Sequence, residues 1–546
     1  MDDMYAIRHQ LETIVEKTIE SAMQEYIDAQ EKTLECFLQY PLINIELGIL
    51  DKPPEDMENG ARRDRFSFLV SETTSLRKSL KYSSNITKDG FETFMTTYYP
   101  QLGKIYNDYC TWLEIKDASS YAKSIVEQLA DNRYQFKTSL VCDKYREETF
   151  YFYGFDNLEE AEQNRKYIRD NMVRLFKEYI IGAPKKIKRL PIDIDPDLLA
   201  YANAQVERDL GNLPNKIRSD VFATRSVLVS VIGFLYYLAV SQKLYSMSVA
   251  PQKRIENCLI DVDKTWLINK ISKVTSITTA QVEKVINYLV NGGQEHIFEF
   301  PLFEQEGHII TAPSLLVVND WQFSIVNGHY YKNIQFQKRD KTISKSTQEK
   351  LKALLSSTEN LVYREEAYYD FMDEGKKVNS DIDFVIFDRL HNVMLVIEAK
   401  WRDKHYYSTN QKRYKKIEDT LSKAFNEQIS RHTKYLQQLD NPLRIFDEYA
   451  ALPLEELPMP QIHCIAVDKR NQLHLNDRHM ITEFMLLAFL REAEEDGNID
   501  LKEVVQRISE LKTTVEYISV PPLKTISLYN GDTICVDECE FQLEYT

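Results

Sequence analysis

The chain has 546 residues, 43% hydrophobic and 28% charged, and carries a formal net charge of −16. That length exceeds one ordinary domain and predicts roughly three or four units of about 100–200 residues each. With only 15 Gly and 17 Pro and no fixed-period repeat, solenoid and linker-dominated architectures are excluded, and the acidic total excludes a histone-like coat of nucleic acid but not a local basic groove.

In chain order, "MDDMYAIRHQ" is acidic and polar, so it does not read as a signal peptide. Residues 4–38 place apolar and aromatic side chains at helical spacing. "TSLVCDKYREETFYFYGF" (138–155) is β-branched and aromatic and predicts a strand pair; "NLEEAEQNRKYIRDNMVRLFKEYII" returns to helix, with acids in its first turn. "GAPKKIKRLPIDIDPD" is a loop whose Lys185, Lys186, Lys188 and Arg189 can meet phosphate or simply be solvated. "SVLVSVIGFLYYLAVSQ" (226–242) falls short of the ~20 residues a bilayer requires and predicts a buried core helix. The seven cysteines include only one close pair, Cys535 and Cys539, with no zinc frame, and point to a reducing compartment; with the polar N-terminus and the short apolar span, the expected setting is cytoplasmic, without a membrane. Residues 1–250 thus read as a mainly helical recognition or regulatory region, the place for a protein partner or a homo-oligomer contact.

Residues 251–340 change character. "DKTWLINKISKVTSITTAQVEKVINYLV" holds two helices, with Trp266, Leu267 and Ile271 on one apolar face and Val282, Val285, Ile286 and Leu289 on the other. Thr278 and Gln281 form a capping box at the second. Strand-like "HIFEFPLF" and "HIITAPSLLVV" follow, giving a winged-helix-like order suited to protein contacts or to DNA.

Residues 341–475 predict an α-β-β-β-α-β order: helix "TQEKLKALLSS", strand-like "NLVYREEAYYDF", a polar turn "MDEGKKVNS", apolar strands "DIDFVIFD" and "VMLVIEAKW", helix "DTLSKAFNEQISRHTKYLQQL" and strand "IHCIAV". "RLHN" is short enough to make the two apolar strands an antiparallel hairpin. Period-2 alternation puts Glu398 and Lys400 on one face, with Asp383 (or Asp381, of the same parity) opening the neighbouring strand. Two carboxylates this close repel unless a cation lies between them, and hard oxygen ligands suit Mg²⁺ or Mn²⁺. A lysine beside that cation can hold or activate the attacking water and offset charge on a phosphate.

Asp383, then 14 residues, then Glu398-Ala399-Lys400 within this element order resembles the PD-(D/E)XK nuclease superfamily, nearest to its nuclease-related domains, over about residues 341–470. The resemblance implies that Asp383, Glu398 and the Ala399 carbonyl hold Mg²⁺ (Mn²⁺ substituting), with Lys400 at the water. It further implies Glu349 as the upstream helix acid, helping to hold the metal through water, and Gln428 as the polar residue of the following helix, steadying the water or the substrate. The family's Gly before the helix acid and Tyr shortly after the Gln are absent; position 432 is His. Glu349 also lies three residues after Ser346 and can be a capping-box residue, Gln428 can be a surface amide, and Glu398 with Lys400 can be a strand-end ion pair. Glu365 and Glu366 replace Glu349 if "YREEAYY" is helical. Trp401, Arg402, Lys404, Lys412, Arg413, Lys415 and Lys416 form the most basic stretch and suit nucleic acid, or else a solvated loop. The whole predicts a multidomain α+β protein: helical region, winged-helix-like module, nuclease-type core with a mixed sheet, and a C-terminal helix and strands over 476–546. The expected function is a metal-dependent nuclease acting on DNA, as effector of a bacterial defence or mobile-element system by analogy. The alternative is an inactive nuclease-fold binding or scaffold subunit.

Overall fold

The computed structural model describes residues 2–30, 37–51, 57–73, 85–121, 125–130, 133–143, 194–210, 224–319, 321–334, 339–400, 410–446, 457–468, 471–511, 513–518, 524–527 and 533–545, with isolated residues between them. The architecture is mixed α+β with a mixed parallel and antiparallel sheet. Helix Asp2–Gln30 falls on the stretch with helical spacing, and Gln39–Asp51, Met57–Glu72 and Tyr99–Tyr121 follow it in a mainly helical region packed through Leu11, Val15, Leu42, Phe66 and Leu102. Of the strand pair expected over 138–155, residues 138–143 lie in strand Arg133–Asp143, which pairs with Ile125–Ala130. Residues 144–155, nearly all of the expected helix after them and residues 182–193 of the expected loop, with its Lys185, Lys186, Lys188 and Arg189, lie outside the described residues.

Arg225–Ser248 is a helix, and Val231 through Gln242 are all buried in it. Among the described residues it alone is long and apolar enough to cross a membrane, and the protein's own core covers most of it. That core joins it to Lys264–Thr275 and Thr279–Leu289 through Leu267, Ile271, Val282 and Val285. Ser276 turns the chain between these two helices at φ +60°, and the Thr278 hydroxyl accepts from Gln281 N. Trp266, expected on the apolar face, is 37% exposed; Ile268 is buried on that helix instead. Strand Ile260–Asp263 pairs with His308–Thr311, which pairs with Phe303–Gln305. "HIFEFPLF" is therefore strand only from Phe303, and the expected strand past Thr311 becomes the helix Pro313–Val317, because Pro313 is preset for a first helical turn. Cys258, Leu259, Phe303, Ile310 and Leu315 belong to the core of the N-terminal helices, so this module is built into the helical region.

The C-terminal part carries the mixed sheet. Helix α1 (Arg339–Leu355) precedes β1 (Leu361–Asp373), β2 (Lys376–Asp388) and β3 (Val393–Lys400). Helix α2 (Asn410–Lys423) runs through a π turn (Ala424–Ile429) into α3 (Ser430–Gln438), and β4 (Gln461–Asp468) follows. β1, β2 and β3 form an antiparallel meander, and β4 lies parallel to β3 after the helical crossover. Two further strands, β5 (Leu473–Leu475) and β6 (Arg478–Thr482), extend the sheet in the order β5-β6-β4-β3-β2-β1. "DRHMITEFMLLAFLREAEE", expected to be one helix, is thus β6 followed by α4 (Glu483–Glu492), with Thr482 as the cap between them. α1, α4 and α5 (Leu501–Glu510) cover one face through Leu351, Leu487, Val504 and Ile397; α3 and Pro442–Phe446 cover the other through Leu436, Phe446 and Val396. The strand Thr533–Tyr545 lies parallel to Arg133–Asp143, in a second sheet.

The turn expected over "MDEGKKVNS" narrows to Glu374 and Gly375, with the remainder in strand. Both residues take positive φ, +47° and +79°, as a two-residue hairpin turn matching the strand twist demands. Gly375→Ala has free space around its new Cβ, so its cost is purely backbone, about 1 kcal/mol. We expect a correspondingly lower urea midpoint; an unchanged midpoint would contradict the turn geometry.

Candidate active site

The β2–β3 ladder runs from Asp388↔Val393 to Phe384↔Ile397 and stops there. The next residue, Asp383, continues the contact with its side chain: Oδ2 accepts from the Ala399 N–H at 2.8 Å. On the other side of β2, the pairing with β1 is interrupted at Glu366, between Glu365↔Phe384 and Ala367↔Ile382. Glu366 sits at φ +46°, an uncommon conformation for a non-glycine residue that costs about 1–3 kcal/mol. The alternation inverts across this point. Phe384 and Ile386 face α1, α4 and α5, whereas Ile382 packs with Tyr369 and Phe371 on the α3 side. Simple parity therefore does not set the direction of Asp383; a local irregularity does.

Glu398 follows Met394 and Val396 onto the α3 side, where it is 4% exposed. Lys400 Nζ donates to its Oε1, so the shared face expected from period 2 is realised. His432 Nε2 meets its Oε2 at 2.9 Å, and His432 Nδ1 meets the Tyr369 hydroxyl at 2.7 Å. An ionised Glu398 only accepts, so Nε2 carries a proton and, in the neutral ring, Nδ1 accepts from Tyr369. The Tyr369 ring stacks on Tyr435 at 4.1 Å between centroids, 14° from parallel. Burial would raise the Glu398 carboxyl, but the hydrogen bonds from His432 and Lys400 outweigh it and hold the group below its usual value. Asp383 has the opposite balance: burial and the Glu398 charge push it up to about 7, against the Ala399 N–H and Lys400.

The outer residues of the expected site fall less closely. Glu349 is exposed, and its charge acts on Lys352, which is bonded to Glu365. The buried residue of that turn is Gln348, whose Nε2 donates to the Asp383 carbonyl at 3.1 Å. Because α1 begins at Arg339, Ser346 lies inside the helix and Glu349 is not part of a capping box. Ala399, expected to offer its carbonyl, contributes its N–H. Gln428 lies in the π turn, one helical turn before His432, and its buried Oε1 accepts no hydrogen bond among the described residues. Asp381 stays near the pair: Glu366 first, then burial and Asp381, then Asp383 push up the hydroxyl of the exposed Tyr368. Glu365 and Glu366 are in strand, not helix. Of the basic stretch, Trp401, Arg402 and Lys404 lie outside the described residues, Lys412 and Arg413 begin α2, and Lys416 is partly buried. Lys415 is paired with Glu418 at 2.8 Å and Asp419 at 3.3 Å. His432, Tyr369 and Gln348 are site residues that sequence reasoning missed; for His432 the available signal is its place one turn after Gln428.

Two carboxylates converge, Asp383 Oδ1 accepts no hydrogen bond among the described residues, and Glu398 still raises Asp383 despite Lys400. This is a donor set short of positive charge, and it fits a hard divalent cation. A second cluster, Asp388, His391 and Asp500, has three ligand atoms close enough for an ion. Its Asp388 oxygens, however, already accept from Leu390 N, Asn360 Nδ2, Leu501 N and His391. It ties the β2–β3 turn to the start of α5, at the opposite end of the β2–β3 ladder from Asp383. Comparison with protein-family models, curated proteins and solved structures finds no match to this chain.

Proposed function

We propose that the unit built on β1–β4 is a metal-dependent nuclease of the PD-(D/E)XK type that hydrolyses phosphodiester bonds in nucleic acid, with DNA as the expected substrate. The observation that carries this reading is the convergence of Asp383, Glu398 and Lys400 where β2 and β3 part. Asp383 and Glu398 would hold Mg²⁺ or Mn²⁺, which would supply Lewis-acid stabilisation of charge on the phosphate. Lys400 orients the attacking water and neutralises developing charge; Gln348 holds the backbone of Asp383; Gln428 has a buried acceptor to offer water or substrate. The helix–helix–hairpin module, read as winged-helix-like, and the N-terminal helices serve recognition or regulation, in keeping with an effector in bacterial defence.

One observation favours a second reading, an inactive nuclease-fold binding or scaffold subunit: both Glu398 oxygens are engaged, by Lys400 and by His432. Incubating the purified protein with plasmid, linear duplex, single-stranded DNA and RNA, in Mg²⁺, Mn²⁺ or EDTA, separates the two. Cleavage abolished by EDTA supports the nuclease; a gel shift without cleavage in either metal supports the binding subunit.

A further inference from the structure

We propose that His432 is a positioning residue that makes Glu398 a one-oxygen ligand, holding Oε2 so that only Oε1, the oxygen carrying Lys400, is left for a cation. The inference rests on the metal-dependent reading above. His432 is fully buried, and each of its nitrogens has a partner: Nε2 meets Glu398 Oε2 at 2.9 Å and Nδ1 meets the Tyr369 hydroxyl at 2.7 Å. Tyr369 is itself held flat against Tyr435, so β1, α3 and β3 together fix the imidazole. Turning Oε2 away would strand a buried N–H. Lys400 is different: its side chain is 17% exposed, at the end of β3, on a flexible four-carbon stem. Lys400 is therefore the partner that must leave Glu398 before Oε1 can face a cation. Loading the site then releases the ammonium group that the reaction uses.

The test is calorimetric titration of the full chain with Mn²⁺, with no substrate present. His432→Ala is expected to weaken Mn²⁺ binding about 10–100-fold, the range for removing a group that orients a metal ligand. His432→Gln restores most of that loss, because its amide N–H can reach Oε2 and its carbonyl can accept from Tyr369. Tyr369→Phe keeps the ring stack, removes the hydroxyl and gives an intermediate loss. Lys400→Met, freed of the competitor for Oε1, binds Mn²⁺ more tightly than the parent. Parent-like affinity in both His432→Ala and Tyr369→Phe overturns the inference, and weaker binding by Lys400→Met overturns the shared oxygen. Should His432→Ala fail to fold, parent-like affinity in Tyr369→Phe together with weak binding by His432→Gln overturns it equally. No Mn²⁺ binding by the parent chain overturns the metal-dependent reading itself, which none of the variant outcomes does.

Discussion

Lys400→Ala and Asp383→Ala are each expected to abolish Mg²⁺-dependent cleavage while leaving the fold intact. A positioned group at the reacting water contributes about 10²–10⁴-fold, and Lys400 supplies in addition a cation bonded to the buried Glu398 carboxylate. Asp383 loses more than a ligand, since its Oδ2 also closes the gap between β2 and β3 by accepting from Ala399. Neither change opens the core, because the strands are held by Phe384, Ile386, Leu395 and Ile397 on one face and Val385 and Val396 on the other. Lys400→Ala leaves Glu398 bonded to His432, so the carboxylate keeps a buried partner. The checks are rates on the substrate that the parent cleaves, with circular dichroism to confirm folding. Parent-level activity in either folded variant removes the assignment.

Asp383→Asn is expected to raise the stability of the metal-free protein at pH 8 and to leave it nearly unchanged at pH 4. Burial and the Glu398 charge lift the Asp383 carboxyl from its ordinary 3.8 to about 7 in the folded state. The folded chain therefore binds this proton more tightly than the unfolded one. Its stability contribution falls as pH rises from about 4 to about 7, since unfolding relieves the carboxylate. The neutral amide escapes that penalty, which we place at about 1–3 kcal/mol for a part-buried group at about 1.4 kcal/mol per pH unit. Added Mn²⁺ should reverse the order, stabilising the parent and not the variant. Thermal melting in EDTA and in Mn²⁺, at pH 4 and pH 8, reads both effects. A parent more stable than Asp383→Asn in EDTA at pH 8 contradicts the account.

Much of the site was legible before any coordinates. Apolar runs ending on Glu398-Ala399-Lys400 and opening on Asp383 specify strands whose ends carry charge, and period 2 alone aligns Glu398 with Lys400. The α-β-β-β-α-β order and the parallel return of β4 follow from run lengths, turn residues and a helix long enough to cross over. The amphipathic N-terminal helices and the buried Arg225–Ser248 helix were legible for the same reason: a repeat of 3.6 or 2 is a local property of the chain.

The remainder depends on which surfaces meet. Helical period already places Gln348 on the face of the buried Leu351 and Leu355, and Glu349 off it; that Gln348 meets the Asp383 carbonyl is decided only by the docking of α1. The same holds for His432, whose partner Glu398 lies on another element across the π turn. Alternation cannot foresee its own inversion, and the positive φ of Glu366 reverses it beside Asp383. Nor does any local pattern announce that Thr533–Tyr545 pairs with Arg133–Asp143, or that β6 extends the sheet beyond β4. Strand partners distant along the chain are chosen by the surface they bury together. The chain's local chemistry thus names Asp383, Glu398 and Lys400, and the packing of α3 and β1 around them adds His432 and Tyr369.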